Sequence, residues 1–330
     1  MASEEPFAHL EAGAGRSPVD LWCEDAVAGL PRRLGPGSVD VVVTSPPYNR
    51  RIRYGAYADN RPRDDYLGWM RQVGAAVARV LSARGSFFLN VGGAPSDPWL
   101  PYDAAREVGR PFVLQNVIHW VKSIAIDRAA AGRAAALDRD LAVGHYQPLG
   151  SDRYVHGALE YVFHFTPHGD VPLDRLAIGV PYQDPSNVAR WAGARGGLRC
   201  RGNTWFLPYP TIRIARRDRP HPASFPPELP EWCLRLHGVA RIRRAADPFV
   251  GIGSSAIAAA RLGVPFVGFD VDPEYLRLAV DRLSEAGGGR RPGASEPAPP
   301  ARRPPTAPRR RGAAAPRGRT ARSTTGSASD

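Results

Sequence analysis

Residues 38–49 read SVDVVVTSPPYN and contain the segment that decides the fold. Ser38–Ser45 is almost continuously apolar or β-branched, which is typical of a short strand buried on both faces of a parallel sheet. Pro46 and Pro47 end this strand, because each removes a backbone donor and stiffens the loop. Ligands of open α/β sheets bind at the carboxyl ends of the strands, so the loop lies at a candidate binding edge.

Strands and helices alternate along most of the remaining sequence. Apolar residues at helical spacing predict a helix over Asp64–Leu81, and the apolar run Ser86–Val91 predicts the next strand. Further strands are predicted over 112–121, 159–165 and 264–270 and directly before Asp247, and further helices over 226–237, 255–262 and 273–283. This alternation predicts an α/β fold with a doubly wound, mostly parallel sheet.

Two segments, 123–157 and 168–220, interrupt this alternation and are rich in Arg, Gly, Pro and Asp. Long irregular insertions in an α/β domain are usually functional or disordered, and the aromatic residues of 168–220 favour an ordered insert. From Ala286 onward almost no large apolar residue remains, which predicts disorder. The predicted organisation is a flexible N-terminus (1–17), a first half-domain (18–167), an insert (168–220), a second half-domain (221–285) and a disordered tail (286–330).

The formal net charge of +12 is unevenly distributed. Residues 286–330 hold ten arginines against two acidic residues and therefore carry +8, which leaves +4 for the rest of the chain. Such a tail can bind nucleic acid without sequence preference; a solvated low-complexity extension is the alternative. No run of about 18 apolar residues predicts a membrane span, and the N-terminus does not resemble a signal peptide, so we expect a cytoplasmic protein without membrane contact.

The cysteines, Cys23, Cys200 and Cys233, lie far apart in the sequence, so neither a disulfide framework nor a zinc site is predicted. None of them follows a proline or lies in a turn-like motif. A reaction that needs a cysteine nucleophile is therefore not expected.

A second motif, DPFVGIGSSA at 247–256, lies between a predicted strand and a predicted helix. Its glycines allow a tight turn and a close approach to a ligand, and the helix N-terminus offers free N–H groups. Asp270 ends the next strand, where a carboxylate can accept hydrogen bonds from ribose hydroxyls. The glycine spacing also fits the dinucleotide fingerprint, which leaves an NAD-linked dehydrogenase as an alternative, although that fingerprint normally lies near the start of its domain.

The first motif suits an amino group on a planar ring. The Ser45 side chain and the carbonyl of Pro46 are acceptors for the amine hydrogens, and the Tyr48 ring offers a surface on which a base can stack. A Pro-Pro strand terminator without a ligand is the alternative for this loop taken alone.

Together, TSPPYN (44–49) and DPFVGIGSS (247–255) resemble the amino-methyltransferases of DNA, and their order resembles the circularly permuted β-group. The resemblance covers roughly residues 18–285, although ARIRRAAD before the glycine loop is less apolar than the family pattern. It implies a Rossmann-like methyltransferase fold, S-adenosyl-L-methionine as cofactor and a target-recognition insert at 168–220. The catalytic residues implied are Ser45, Pro46, Pro47 and Tyr48; the cofactor-binding residues implied are Asp25, Phe225, Asp247, Phe249, Gly251, Gly253, Ser254 and Asp270, and no metal is implied.

Within that family, the resemblance implies methyl transfer to the exocyclic amine of a base turned out of double-stranded DNA. The serine form of the catalytic loop is associated with cytosine-N4, and adenine-N6 is the alternative. The family also suggests a homodimer and a cognate restriction endonuclease as partners. A non-catalytic DNA-binding module is the alternative of another class, against which the intact pair of motifs argues.

Overall fold

A computed structural model describes residues 4–13, 15–52, 54–132, 137–144, 150–182, 188, 197–208 and 224–287. Within these residues, nine strands form one sheet. From one edge to the other the strands are β1 (Ala8–Ala12), β2 (Ser17–Cys23), β13 (Phe266–Asp270), β12 (Ala245–Asp247), β3 (Val39–Thr44), β4 (Leu81–Val91), β8 (Leu159–Thr166), β5 (Val113–Val121) and β11 (Thr204–Phe206).

The middle of the sheet is parallel: β2, β13, β12, β3 and β4 all run in the same direction. β1 pairs antiparallel with β2 at one side, and β8 lies antiparallel between β4 and β5. The prediction of an α/β fold with a large, mostly parallel sheet is confirmed. All five parallel central strands therefore end at one edge, and β8 begins there.

Helices cover both faces of the sheet. One face carries α1 (Ala26–Arg33), α2 (Arg63–Val80) and α3 (Leu100–Val108), and the other carries α5 (Glu228–His237), α6 (Ser254–Arg261) and α7 (Pro273–Gly287). β3 shows how the strand serves two cores, since Val41 and Val43 pack with α5, α6 and α7 whereas Val42 packs with α1, α2 and α3. This two-sided burial is why the strand is apolar at nearly every position.

Two short pairs of strands lie outside the main sheet. β6 (Ile124–Ile126) pairs with β7 (Leu141–Val143), and the short helix α4 (Arg128–Ala131) lies between them in the chain. β9 (Val180–Pro181) pairs with β10 (Leu198–Arg199) within the segment predicted as an insert. These pairs occupy the two segments in which the sequence departs from regular alternation.

The N-terminus differs from the sequence prediction. A flexible segment is predicted over 1–17, whereas β1 forms an edge strand whose Ala8, Leu10 and Ala12 pack against the core on the α7 side. These are small or isolated apolar residues, so the alternation along the strand gives only a weak sequence signal.

Two other boundaries also differ from prediction. β4 begins at Leu81, directly after α2, and not at Ser86, because Gly85 continues the strand instead of opening it. α7 continues through Gly287, two residues into the segment predicted as a disordered tail. The remainder of that predicted tail, like much of 183–196 and 209–223, lies outside the described residues.

The arginine-rich sequence before Asp247 has a simple structural explanation. Only Ala245–Asp247 forms the buried strand β12, and Val239–Arg241 forms a 3-10 turn before it. Arg243 precedes the strand and pairs with Asp40 of β3, with a distance of 2.8 Å between Nη2 and Oδ1. The arginines therefore lie before the core strand and do not interrupt it.

Candidate active site

The two sequence motifs leave the sheet at the same edge from neighbouring strands. β3 and β12 are parallel neighbours, with Val41 opposite Ala245 and Val42 opposite Ala246. The loop after β3 carries Ser45–Tyr48, and the glycine loop follows β12. Segments about 200 positions apart in the chain thus meet at the carboxyl ends of adjacent strands.

The buried carboxylate of Asp247 links these two loops through hydrogen bonds. Its carboxylate accepts a hydrogen bond of 2.5 Å from the Thr44 hydroxyl, another of 2.5 Å from the Ser255 hydroxyl and one of 2.9 Å from the backbone N–H of Phe249. Burial raises the pKa of Asp247 to about 6, against the lowering effect of these hydrogen bonds. The residue holds the strand ends and the start of α6 in a fixed relation.

A cleft of about 1170 Å³, counted out to its open mouth, lies between the loops. Most residues predicted for the site line it. They are Ser45, Pro46, Pro47, Tyr48, Asp25, Phe225, Phe249, Gly251, Ser254 and Asp270.

Asp247 and Gly253 are predicted as cofactor-binding residues but lie behind the lining. Gly253 has φ of +82°, and a Cβ there would lie 2.9 Å from the Cβ of Ala279 in α7. The glycine is therefore required for a left-handed turn and for close packing of two helices. Sequence spacing alone does not distinguish a glycine that approaches a ligand from one that approaches a helix.

Asp270, at the end of β13, organises the glycine loop. One carboxylate oxygen accepts from the backbone N–H of Gly251 at 2.9 Å, and the other accepts from the N–H of Asp272 at 2.9 Å. Burial raises the pKa of Asp270 to about 6. Each carboxylate oxygen retains a lone pair for a ligand, since one hydrogen bond uses only one of its two.

The side of the cleft next to Asp270 is acidic, with Glu24, Asp25 and Asp272 also in its lining. Asp25 caps α1 by accepting from the N–H of Val27 at 2.8 Å. Asp272 accepts from Glu274 N–H at 2.9 Å at the start of α7 and from Ala56 N–H at 3.2 Å. Glu24 is already paired with Arg32 and Arg33, so the carboxylates of Asp25, Asp270 and Asp272 are the ones that favour a ligand with positive charge.

Aromatic rings form another wall, and most of them were not predicted as site residues. The rings of Trp69 and Phe249 have centroids 5.3 Å apart, and those of Tyr57 and Trp69 are 5.6 Å apart. Arg61 lies 5.0 Å from the ring centroids of both Tyr57 and Trp69. The loop that carries Tyr57 and Arg61 is held by Asp59, whose carboxylate accepts from three backbone N–H groups of residues 49–52.

Ser45 and Tyr48 belong to a hydrogen-bonded network beneath the Pro-Pro loop. The Ser45 Oγ lies 2.6 Å from the Tyr48 hydroxyl, which donates to Oε2 of Glu160 at 3.0 Å. The Asn90 amide donates to the Tyr48 hydroxyl and to Glu160 Oε2, both at 2.7 Å. Lys122 Nζ lies 2.8 Å from Glu160 Oε1.

Burial alone would raise the pKa of Glu160, but the charge of Lys122 and hydrogen bonds from Lys122, Asn90 and Tyr48 hold the pKa below its usual value. Burial, followed by the negative charge of Glu160, raises the pKa of Tyr48 well above its usual value. The network therefore combines an ionised carboxylate with neutral hydroxyls. The sequence did not predict Glu160, Asn90 or Lys122 as site residues. The one signal for them was Glu160 itself, a carboxylate in the mostly apolar strand LEYVFHF.

Two buried hydroxyls in the lining have no hydrogen-bond partner among the described residues, Ser254 Oγ at the start of α6 and Tyr57 OH. Buried polar groups are normally paired, so both are suited to a polar ligand in the cleft. None of Cys23, Cys200 and Cys233 lines the cleft. In the described ranges no three His, Cys, Asp or Glu side chains gather as a metal site, and no helix there is both long and apolar enough to cross a bilayer.

Comparison with known proteins agrees with this geometry. The family model "DNA methylase", for N6 and N4 methyltransferases, matches residues 39–281. The chain is 27% identical over 265 residues to the type II methyltransferase M.ScaI of Streptomyces caespitosus, covering 74% of each protein. It is 22% identical over 265 residues to the DNA adenine methyltransferase YhdJ of Escherichia coli (strain K12), covering 79% of this chain and 81% of YhdJ.

Among solved structures, the fold is similar to that of the PvuII DNA methyltransferase, described as cytosine-N4-specific. The TM-score is 0.56 with 16% identity, over 87% of this chain and 95% of that one. The family match covers both motifs and the strands that carry them, and it excludes the dehydrogenase alternative for the glycine loop. The chain belongs to the N6/N4 DNA methylase family and is an S-adenosylmethionine-dependent DNA methyltransferase.

Proposed function

We propose that this enzyme methylates the N4 amine of cytosine in double-stranded DNA. The observation that carries the proposal is the position of Ser45 in the cleft, next to the glycine loop and with its hydroxyl held by Tyr48 and Asn90. The serine form of this loop is the one that the family resemblance associates with cytosine-N4. The PvuII methyltransferase, with a similar fold, is named for the same specificity.

The cofactor fits the side of the cleft formed by β12, β13 and the loop after β2. Asp270 would accept from the ribose hydroxyls, and Asp25 would lie near the adenine. Phe225 and Phe249 would cover the methionine end, and the unpartnered Ser254 hydroxyl at the start of α6 offers a donor for its carboxylate. When bound there, the cofactor supplies an electrophilic methyl group on a positively charged sulfur, in keeping with the acidic lining.

The chain itself would prepare the amine. The lone pair of an exocyclic amine is delocalised into the base, which makes the nitrogen a poor nucleophile. Hydrogen bonds from the amine to Ser45 Oγ and to the carbonyl of Pro46 favour a pyramidal nitrogen whose lone pair can attack. Holding the nitrogen in line with the methyl group supplies much of the remaining acceleration.

The base would reach this position only outside the duplex. Pro46 is buried and Ser45 is half-buried, and beneath them Tyr48 and Asn90 have only 8% and 2% of their surfaces exposed, so the acceptors lie at the bottom of the cleft. A base within a stacked helix cannot bring its amine that deep, and extrusion is the established solution for enzymes that modify bases. The Tyr48 ring in the cleft wall would stack on the extruded base.

Adenine-N6 is the second candidate, supported by the similarity to the adenine methyltransferase YhdJ across most of both chains. The residues that discriminate among DNA sequences would come from the segment 168–220, which contributes β9, β10 and β11. A homodimer and a cognate restriction endonuclease stay predictions from the family resemblance. Binding of nucleic acid by the arginine-rich tail is a separate prediction, which rests on the charge of residues 286–330.

The test is to express the chain in bacteria that lack amine methylation and to sequence their DNA with a readout that distinguishes N4-methylcytosine from N6-methyladenine. We expect N4-methylcytosine at one short sequence, and no mark with Ser45→Ala. N6-methyladenine at one sequence would support the second candidate. Absence of any mark from a folded, cofactor-binding wild type would overturn the proposal and favour a DNA-binding module.

A further inference from the structure

Beneath the catalytic loop lies a charged pair that the methyl transfer described above does not use. Glu160, near the start of β8, and Lys122, just after β5, are held together across the antiparallel pair β5–β8, in which Trp120 faces Glu160. Lys122 is the only lysine in a chain with 44 basic residues. Its compact ammonium contacts Glu160 and lies 5.8 Å from the Trp120 ring centroid.

The directions of the hydrogen bonds in this network are fixed by what each group can do. An ionised carboxylate only accepts, so the single hydroxyl proton of Tyr48 must be donated to Glu160 Oε2. In the hydrogen bond of 2.6 Å between Ser45 Oγ and the Tyr48 oxygen, Ser45 must therefore be the donor. The Ser45 proton is therefore engaged and cannot be offered to a substrate.

What remains on Ser45 is acceptor capacity. Its oxygen has two lone pairs, and the Asn90 amide nitrogen lies 3.3 Å away, with its two hydrogens already directed at the closer Tyr48 hydroxyl and Glu160 Oε2. Asn90 is oriented with its amide nitrogen towards Glu160, which leaves its own Oδ1 buried without a partner among the residues that the structure describes. The floor of the cleft thus presents oxygen acceptors and withholds donors.

We propose that Glu160 is a positioning residue that, through the Tyr48 hydroxyl, makes Ser45 an obligate hydrogen-bond acceptor and so selects bases that present an amine over bases that present a carbonyl. A keto base such as uracil or hypoxanthine would place its carbonyl oxygen, a hydrogen-bond acceptor, against Ser45 Oγ and the other acceptor oxygens of the cleft. The inference rests on the proposed function, since it assumes that the target base enters this cleft.

Replacement of Glu160 by glutamine should reverse the direction of the hydrogen bonds through Tyr48 to Ser45, because the two side chains have nearly the same shape but different donors and acceptors. An amide has one oxygen and one NH₂ group, and the Lys122 ammonium attracts the oxygen. The NH₂ group then takes the place of Oε2, so the Asn90 side chain must turn its unpartnered Oδ1 towards it. The Tyr48 hydroxyl loses its acceptor on residue 160 and can turn its proton towards Ser45. The Ser45 proton is released and can be donated into the cleft.

The experiment uses the full chain after the modified sequence has been found by sequencing. Duplexes carry either the target base or its keto counterpart at the target position, uracil for cytosine or hypoxanthine for adenine. Their dissociation constants are measured with the demethylated cofactor present, so that no turnover is needed. We expect the wild type to prefer the amine duplex by about tenfold, and Glu160→Gln to lose that preference, because an acceptor buried against an acceptor is costly.

Kinetics supply a second readout. In Glu160→Gln we expect kcat to fall about tenfold or more with KM for DNA and the Kd of the cofactor nearly unchanged, the sign of an interaction used in the transition state. Asp40→Asn is the matched control, since Asp40 is a buried carboxylate of the same sheet that pairs with Arg243. This control should lose stability but keep the amine preference.

Tyr48→Phe provides an independent route if Glu160→Gln fails to fold. Tyr48→Phe removes the link between Glu160 and Ser45, so it should also abolish the amine preference. The double variant, Glu160→Gln with Tyr48→Phe, should lose no more kcat than the more severe of the two single variants. Retained preference in either folded variant, or additive effects in the double variant, would overturn the role of Glu160. Failure of the proposed function shows differently, as absence of any mark by the wild type.

Discussion

Thr44 and Asp247, 203 positions apart in the chain, are joined by a hydrogen bond of 2.5 Å between the threonine hydroxyl and the aspartate carboxylate. Thr44 ends the strand that carries the catalytic loop, and Asp247 ends the strand that carries the glycine loop. Because Asp247 also accepts from Ser255 and Phe249, it fixes the geometry of the glycine loop relative to Ser45.

Asp247→Ala should destabilise the fold by about 3 kcal/mol, because it leaves two buried hydroxyls and one backbone N–H without their acceptor. Asp247→Asn should keep the stability within about 1 kcal/mol of wild type near pH 7, since an amide can serve the same partners without a buried charge. Urea unfolding of both variants at pH 7 measures the difference. Equal losses in the two variants would contradict this role.

The same pair predicts a pH dependence. Burial raises the pKa of Asp247 to about 6 in the folded protein, above its value in the unfolded chain. The stability that this group contributes is therefore present below the unfolded pKa and is lost as the pH rises to about 6. Relative to wild type, Asp247→Asn should gain stability between pH 4 and pH 6 and show no further gain above. A difference that shrinks over this range would have the wrong sign.

Cofactor affinity should fall as the medium is acidified through pH 6. Burial raises the pKa of Asp270 to about 6, and protonation removes acceptor capacity from the carboxylate that is expected to bind the ribose. Titration calorimetry with the demethylated cofactor from pH 5 to pH 8 measures the slope. Asp270→Asn should bind at least about tenfold more weakly at pH 7 and show a flatter profile. A slope as steep as that of the wild type in this variant would contradict the role of Asp270.

Gly253→Ala should cost about 1–3 kcal/mol of stability, because it combines a left-handed backbone with a contact of 2.9 Å to the Ala279 Cβ. The cofactor Kd of the folded fraction should stay near wild type, since Gly253 does not line the cleft. Thermal unfolding and calorimetry separate the two effects. Weaker cofactor binding without a loss of stability would restore Gly253 to the binding loop, as the sequence predicts.

Removal of residues 288–330 tests the charged tail. The deleted segment carries ten arginines and two acidic residues, while α7 ends at Gly287 and stays intact. If the tail contacts DNA phosphates, log Kd against log salt should become shallower while methyl transfer persists. An unchanged slope would identify the tail as a solvated extension with no part in binding.

The sequence predicts the parts of this molecule that depend on local pattern. The buried run SVDVVVTS and the glycine loop are recognisable because two-sided burial and tight turns restrict residue choice strongly. The family order of the two motifs then places them at one edge. By contrast, β1 and β11 are short edge strands whose pairing depends on neighbours distant in the sequence.

The polar floor of the cleft was harder to predict for a related reason. Glu160, Asn90 and Lys122 lie in or directly after three different strands, and no local sequence pattern indicates that their side chains are in contact. The Tyr48 hydroxyl shows the same limit. The motif suggests a ring for stacking, whereas the structure shows that its oxygen also connects Ser45 to Glu160.

The adjacency of β3 and β12 has a consequence for the nascent enzyme. The amine-binding loop leaves the ribosome early, whereas the donor pocket is complete only after Asp270 has been synthesised. A chain that terminates before Asp270 would contain the catalytic loop but not the complete cofactor site, so we expect truncated translation products to be unable to methylate DNA. Methyl transfer therefore requires a chain that has been synthesised through β13, the last strand of the sheet in the sequence.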